Sequence, residues 1–327
     1  MNVNELITLL KDSSGDLPDR LGYFLTSYNR AELADFCGHW QEIPLTKREE
    51  IIGLLEQHSS SYLTDEIALA LFQAETDSNI KIRCMDLMDM TDSLDSTRMV
   101  IKAALEDADK NIRLKAIGLL SECAYDIELE EIDSELAADV MKALLSLRKD
   151  PDEEIQQSAL YSASFVYSDE VEQWIKEAFN KKGNTWQETA MYAVGRNLNP
   201  DWESRVMDGL YSKHGGIRRA AILSAGDMSL ENSRDRLIEL LDEEIGSDLF
   251  EDVIIALGKV GGDNIRELLE SIGENSDDED VKDAVEEALM DLELRDPESF
   301  MDALEDDFGF DEEEDEDGEA FGHHHHH

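Results

Sequence analysis

Apolar residues in this chain recur at positions 0, +4, +7 and +8 of segments that each begin at a turn, which is the spacing of one face of an α-helix. The frame is met at Ile80, Cys84, Leu87 and Met88, at Ile112, Ala116, Leu119 and Leu120, and at Ile155, Ala159, Ser162 and Ala163. It continues at Trp186, Ala190, Ala193 and Val194, then at Ile217, Ala221, Ser224 and Ala225. Leu249, Val253, Ala256 and Leu257 follow, and Val281, Val285, Ala288 and Leu289 close the series. The starts are 32, 43, 31, 31, 32 and 32 residues apart, a near-constant period broken once by an insertion of about 11 residues around Ala124 to Ser134. Position +4 is never larger than Val, which lets neighbouring helix backbones approach closely.

Between these segments lie others with 3.6-residue apolar spacing: Leu94 to Leu105, Leu136 to Leu147, Val171 to Phe179, Trp202 to Leu210, Ser233 to Leu241 and Ile265 to Ile272. Each period is therefore one helix hairpin. A lone hairpin of this size cannot bury its apolar face, so each must stack on the next, and the predicted fold is an all-α, α-α superhelix. Gly195, Gly226, Gly258, Asn199-Pro200 and Gly261-Gly262 fall where helices are expected to end and turn. Residues 1–75 have helical spacing over Val3 to Leu10, Leu17 to Tyr28, Ala31 to Trp40, Lys47 to Leu55 and Leu63 to Phe72, but do not keep the frame. They are expected to form a helical cap on an array spanning 76–294. Residues 295–321 form an acidic tail containing Phe300, Phe308, Phe310 and Phe321. Its run Asp311, Glu312, Glu313, Glu314, Asp315, Glu316 and Asp317 repels itself, so the free tail is expected to be disordered. Residues 322–327 read as a tag remnant and are kept out of metal arguments.

The stretches DSNIKIRCMDLM (77–88), DKNIRLKAIGLL (109–120), GGIRRAAILSAGD (215–227) and VIIALGKVGGDNIRELLESI (253–272) resemble HEAT repeats of the phycobilin-lyase-like class. The resemblance covers roughly 75–292 and implies a HEAT-like solenoid whose framed helices line a concave side. Members of that class include bilin-attachment lyases as well as plain scaffolds, so fold does not carry chemistry across. The basic residue at +1 is present as Lys81, Arg113, Arg218 and Lys282 but is replaced by Gln156, Gln187 and Phe250. An Asp–Arg ladder along the array is therefore expected to break in the middle.

Composition narrows the function. The formal charge is −49 with a pI near 4.2, so phosphates and anionic membrane surfaces are repelled, and the acidity serves either attraction of basic proteins or solubility in a salty cytoplasm. Cys37, Cys84 and Cys123 are odd in number, lack a CxxC and lie in apolar helical patterns, as buried thiols in a reducing compartment would. The N-terminus has no basic, then apolar, leader, and no run of 18 apolar residues occurs, which points to a soluble cytoplasmic protein. Outside the tag, the histidines are His39, His58 and His214, and none belongs to a catalytic motif. Glu313 to Gly318 resembles the start of an EF-hand loop, but its twelfth position is His324 in the tag, so no metal site or cofactor is assigned.

Opposite the repeat core, position +6 places Tyr161, Tyr192, Leu223 and Ile255 on four successive framed helices, flanked by Gln157, Glu188, Glu251 and Asp252. If exposed, such a strip suits a partner that is apolar on one side and basic on the other. The expectation is a non-catalytic scaffold, adaptor or chaperone that binds a basic protein through this acidic groove and the tail. Two alternatives stay open: a bilin-lyase-like enzyme or tetrapyrrole handler, and an acidic mimic of nucleic acid. Deleting 296–321 is expected to slow association with a basic partner by about tenfold or more at low salt and to flatten its salt dependence. Stopped-flow binding checks this, and the melting temperature is expected to stay nearly unchanged.

Overall fold

The framed segments open on side chains that satisfy the first free N–H groups of a helix. Asp77 accepts from the Ile80 N–H (3.0 Å), Asp109 from Asn111 (2.8 Å) and Asp152 from Glu154 (2.9 Å). Each such cap contributes about 1 kcal/mol. A computed structural model describes residues 1–12, 14–57, 62–90 and 92–295, and these residues form eighteen α-helices with no strand among them. The fold class is all-α, a solenoid of stacked hairpins. The acidic tail, with Asp311, Glu312, Glu313, Glu314, Asp315, Glu316 and Asp317, lies outside the described residues.

The chain divides into two compact units, Met1–Met228 and Ser229–His327. The first contains α1 (Val3–Leu10), α2 (Leu21–Ser27), α3 (Arg30–Gly38), α4 (Leu45–Gln57), α5 (Tyr62–Ala74), α6 (Ser78–Asp86) and α7 (Leu94–Glu106). It goes on through α8 (Lys110–Glu128), α9 (Ser134–Ser146), α10 (Glu153–Ala163), α11 (Asp169–Asn180), α12 (Asn184–Asn197), α13 (Glu203–Gly209) and α14 (Gly215–Asp227). The second contains α15 (Arg234–Glu243), α16 (Phe250–Val260), α17 (Ile265–Glu274) and α18 (Glu279–Arg295). In the first unit α6, α8, α10, α12 and α14 stack in one row, and α1, α3, α5, α7 and α9 follow one another in a second. In the second unit α16 lies directly on α18, with α15 and α17 packed beside them.

The residues at 0, +4, +7 and +8 are buried throughout, apart from half-buried Leu87, Leu119, Ile217 and Leu289. The +5 residues Met85, Ile117, Leu160, Met191, Ile222 and Ile254 are buried as well, although the frame leaves them outside the core. A helix inside a row has a neighbour on each flank as well as its hairpin partner, so its apolar arc is wider than that of a surface helix. Hydroxyls lock the row laterally: Ser162 Oγ donates to the Ile117 carbonyl (2.9 Å) and Ser224 Oγ to that of Met191 (2.8 Å).

Three expectations from the sequence change here. Gly195, Gly226 and Gly258 do not end helices; they are buried inside α12, α14 and α16. An added Cβ at Gly195 would come within 3.0 Å of Ser224 Cα, and one at Gly258 within 2.5 Å of the Ala288 backbone, so Gly195 and Gly258 bring their framed helices into contact. α12 ends instead at Leu198 (φ 61°), while α16 ends at Gly261 (φ 68°), where a turn was expected; both residues are left-handed. The insertion does not lie wholly between helices: Ala124 to Glu128 extend α8, and residues 129–133 connect it to α9. Finally, α4 packs on α6 at the start of the framed row, with Lys47, Ile51, Leu54 and Leu55 at 0, +4, +7 and +8. A lysine at position 0, only 3% exposed, hides this copy from an apolar count.

The turns share one electrostatic module. An acid accepts the N–H of the capping residue two positions on: Glu75 from Asp77 (2.8 Å), Asp107 from Asp109 (2.9 Å) and Asp150 from Asp152 (3.0 Å). The same acid pairs with the +1 base of the preceding framed helix, giving Arg48–Glu75, Lys81–Asp107 (3.1 Å) and Arg113–Asp150 (2.6 Å). At the next turn the roles reverse, and Lys181 Nζ donates to Gln156 Oε1 (3.0 Å). Gln187 Nε2 then donates to the Phe179 carbonyl (2.7 Å). At Gln156 and Gln187 these hydrogen bonds stand where the earlier turns have an ion pair.

Glu75 is the most buried of these acids. Burial alone would push its carboxyl up, but the Asp77 N–H, the Trp40 indole (2.7 Å), the Thr76 N–H and Arg48 together hold it below its ordinary value. A depressed carboxylate stabilises the fold fully above its unfolded pKa, and that contribution disappears as pH falls through the carboxylate range. Melts between pH 7 and pH 3 should therefore show an acid-side loss of stability that is smaller in Glu75→Gln. At pH 7 that variant should be less stable by about 3 kcal/mol, because Arg48 stays buried without its partner. Denaturant titration should also separate two glycines: Gly258→Ala is expected to cost about 1–3 kcal/mol through overpacking. Gly118→Ala, exposed in α8 with nothing near its Cβ, is expected to add about 0.5–1 kcal/mol.

Candidate functional site

In α10, α12 and α14 the core, +5 and +9 positions are almost all buried, and +2 and +6 lie on the accessible side of the framed row. The +6 residues are small or acidic at first, Gly53, Asp86 and Gly118, and become Tyr161, Tyr192 and Leu223 further along. Tyr161 is 37% exposed, while Tyr192 and Leu223 are half-buried. The Tyr161 and Tyr192 rings meet edge to face with centroids 6.1 Å apart. Such a pair is worth about 0.5–1.5 kcal/mol beyond its area and fixes both rings.

A cluster that the sequence reading did not identify continues from Tyr161. The Arg196 guanidinium lies 3.4 Å from the Tyr161 ring centroid and 4.4 Å from that of Phe165, and its Nη1 donates to the Tyr161 carbonyl (3.1 Å). Phe165 in turn meets Tyr125 edge to face at 5.3 Å. Burial pushes the Arg196 pKa below its ordinary value, with the Tyr161 contacts opposing it. Tyr125 is carried on the extra turns of α8, so the insertion delivers an aromatic ring to this edge. Phe165 and Arg196 are both at +10, one turn beyond +6, and Tyr125 is at +13, so the same wheel followed further would have found them.

Beside the tyrosines, α8, α10 and α12 enclose an open cleft of about 380 Å³, lined by Leu114, Gln157, Tyr161, Thr189 and Tyr192, with Glu154 at its edge. Glu154 and Asp152 hold the Lys110 ammonium between them at 2.6 and 2.9 Å. Glu188 is half-buried on α12. Ile255, Glu251 and Asp252 are half-buried on α16, in the second unit. The structure thus brings Tyr161 and Tyr192 together directly and places Leu223 on the next framed helix.

The nucleophile candidates are in unreactive settings. Burial pushes the thiol of Cys37 up to about 11, and those of Cys84 and Cys123 to about 12, so all three are protonated at neutral pH. His214 caps α14, accepting the Ile217 N–H (3.3 Å), and His39 bonds Glu42 at the surface. Among the described residues no group of His, Cys, Asp and Glu is arranged to hold a metal ion, and no helix is long and apolar enough to cross a membrane.

No protein-family model matches the chain, and no curated protein matches it in sequence. Among solved structures it is similar to YibA of Escherichia coli, with a TM-score of 0.40 and 15% identity over 86% of this chain and 98% of that one. It is also similar to an engineered protein, with a TM-score of 0.36 and 15% identity over 89% and 99% of the two chains. Likenesses this distant carry no function.

Proposed function

We propose that this chain is a non-catalytic protein-binding scaffold, adaptor or chaperone whose partner is a basic protein or peptide. The observation that supports the reading most is the edge-to-face pair Tyr161–Tyr192 beside an open cleft on the accessible side of the framed row. Two rings fixed by each other and by Arg196 lose little conformational freedom on binding, which is the property of an interface anchor. The charge of −49 supplies the second half of the reading, since it favours encounter with cations over nucleic acid or anionic lipid. Leu223 extends the apolar surface, while Glu188 supplies charge on the same face. Ile255, Glu251 and Asp252 offer the same combination on α16 of the second unit, and the acidic tail adds long-range attraction. In this reading the protein works in the cytoplasm.

The reading is tested by purifying a basic protein captured at low salt and measuring its affinity for the native chain and for Tyr161→Ala/Tyr192→Ala. The double variant is expected to bind at least about 2 kcal/mol more weakly, roughly thirtyfold. Its unfolding free energy should fall by only about 1–2 kcal/mol, because Tyr161 is partly in water already. An unchanged affinity, or a loss of stability several times larger, would end the proposal.

A further inference from the structure

The cleft beside Tyr161 and Tyr192 combines two features that are usually separate. Its walls carry Leu114 on α8, Tyr161 on α10 and Tyr192 on α12, with the short or neutral polar side chains of Gln157, Ser158 and Thr189 between them. Its edge is Glu154, one of two carboxylates that already grip a cation, with Lys110 Nζ 2.6 Å from Glu154 and 2.9 Å from Asp152. An aliphatic stem along rings with a charge at the far end is the form of a lysine or arginine side chain, which covers apolar surface while keeping its head on a polar group. The neighbourhood repeats this arrangement with the chain's own cations. Lys181 Nζ sits 3.8 Å from the Trp186 ring centroid, and the Arg196 guanidinium 3.4 Å from that of Tyr161.

Resting on the reading of this face as a partner-binding surface, we propose that the cleft is a subsite for one arginine side chain of a basic partner. The stem lies against Leu114 and the tyrosines, and the guanidinium takes Glu154 and Asp152 in place of Lys110. Arginine is favoured over lysine because two carboxylates spaced around a single cation match a planar fork of donors, and because a guanidinium stacks on tyrosine. Lys110 is the built-in competitor. It is 45% exposed at the side chain, so releasing it to solvent costs little, and the acids it leaves are ready for the incoming cation. The volume of about 380 Å³ accommodates one side chain with its backbone but not a folded element.

The probe is N-acetyl-arginine methylamide, with N-acetyl-citrulline methylamide as its uncharged isostere, titrated into the full chain at about 0.15 M salt, where distant charges are screened. Binding is followed by the NMR signals of ring-labelled tyrosines and by competition with a captured basic protein. The arginine probe is expected to shift the Tyr161 and Tyr192 signals at a concentration at least fivefold below that needed for citrulline. Glu154→Gln should abolish the difference, and Lys110→Met should tighten arginine binding severalfold while leaving citrulline unchanged. Equal shifts from the two probes, shifts confined to other tyrosines, or weaker arginine binding to Lys110→Met would each overturn the subsite. The broader reading has its own readout. If Tyr161→Ala/Tyr192→Ala still weakens the captured protein while the arginine probe fails, the face binds partners and only the arginine assignment falls. If the double variant is also without effect, both fall.

Discussion

Where Gly258 meets Ala288 and Gly195 meets Ser224, one framed helix lies so close to the next that a Cβ on the glycine would not fit. That close approach sets the spacing of the row. At these contacts it requires Gly at +9 and Ser or Ala at +7 of the facing helix, and the +7 hydroxyls of Ser162 and Ser224 reach carbonyls of the preceding helix. It also buries the flank that carries Met85, Ile117, Leu160, Met191, Ile222 and Ile254. The side with +2 and +6 stays accessible, so the surface available to a partner is a by-product of how the helices touch. Dense packing of this kind tolerates one added methyl group poorly, and the edge residues, free of that constraint, can vary from Gly118 to Tyr161 without disturbing the stack.

A chain with 78 acids against 29 bases must place its carboxylates where repulsion is offset. The turns do this locally. Asp77, Asp109 and Asp152 face helix N-termini, where the backbone offers N–H groups and the positive end of the helix dipole. Glu75, Asp107 and Asp150 take a second N–H and a cation from the preceding framed helix. Part of the acidity is thus structural. It is the remainder, on the row edge and in the tail, that the proposed function draws upon.

The hairpin fold was readable because its signal is redundant, with seven copies of a four-residue frame and a turn acid near most of them. Less redundant features were missed for identifiable physical reasons. Lys47 occupies a core position with a cationic residue, which an apolar count rejects although its stem is buried. Gly195 and Gly258 look like helix stops, since sequence cannot distinguish a glycine needed for left-handed backbone from one needed for contact. In the site, Tyr161 and Tyr192 were found because they share one register. Arg196, Phe165 and Tyr125 were not, because they join the cluster from one and two turns further along, beyond the segment that the frame covers.

A basic partner bound as proposed covers the +6 edge of the first unit at Tyr161 and Tyr192. The chain carries its own controls, since Tyr23 and Tyr211 are each 62% exposed, away from that edge. Hydroxyl-radical footprinting of the chain alone and in complex with a basic partner compares all four rings in one experiment. The account predicts that Tyr161 and Tyr192 lose oxidation on complex formation while Tyr23 and Tyr211 keep theirs. Protection of Tyr23 or Tyr211 with Tyr161 and Tyr192 still oxidised at the free rate would contradict it.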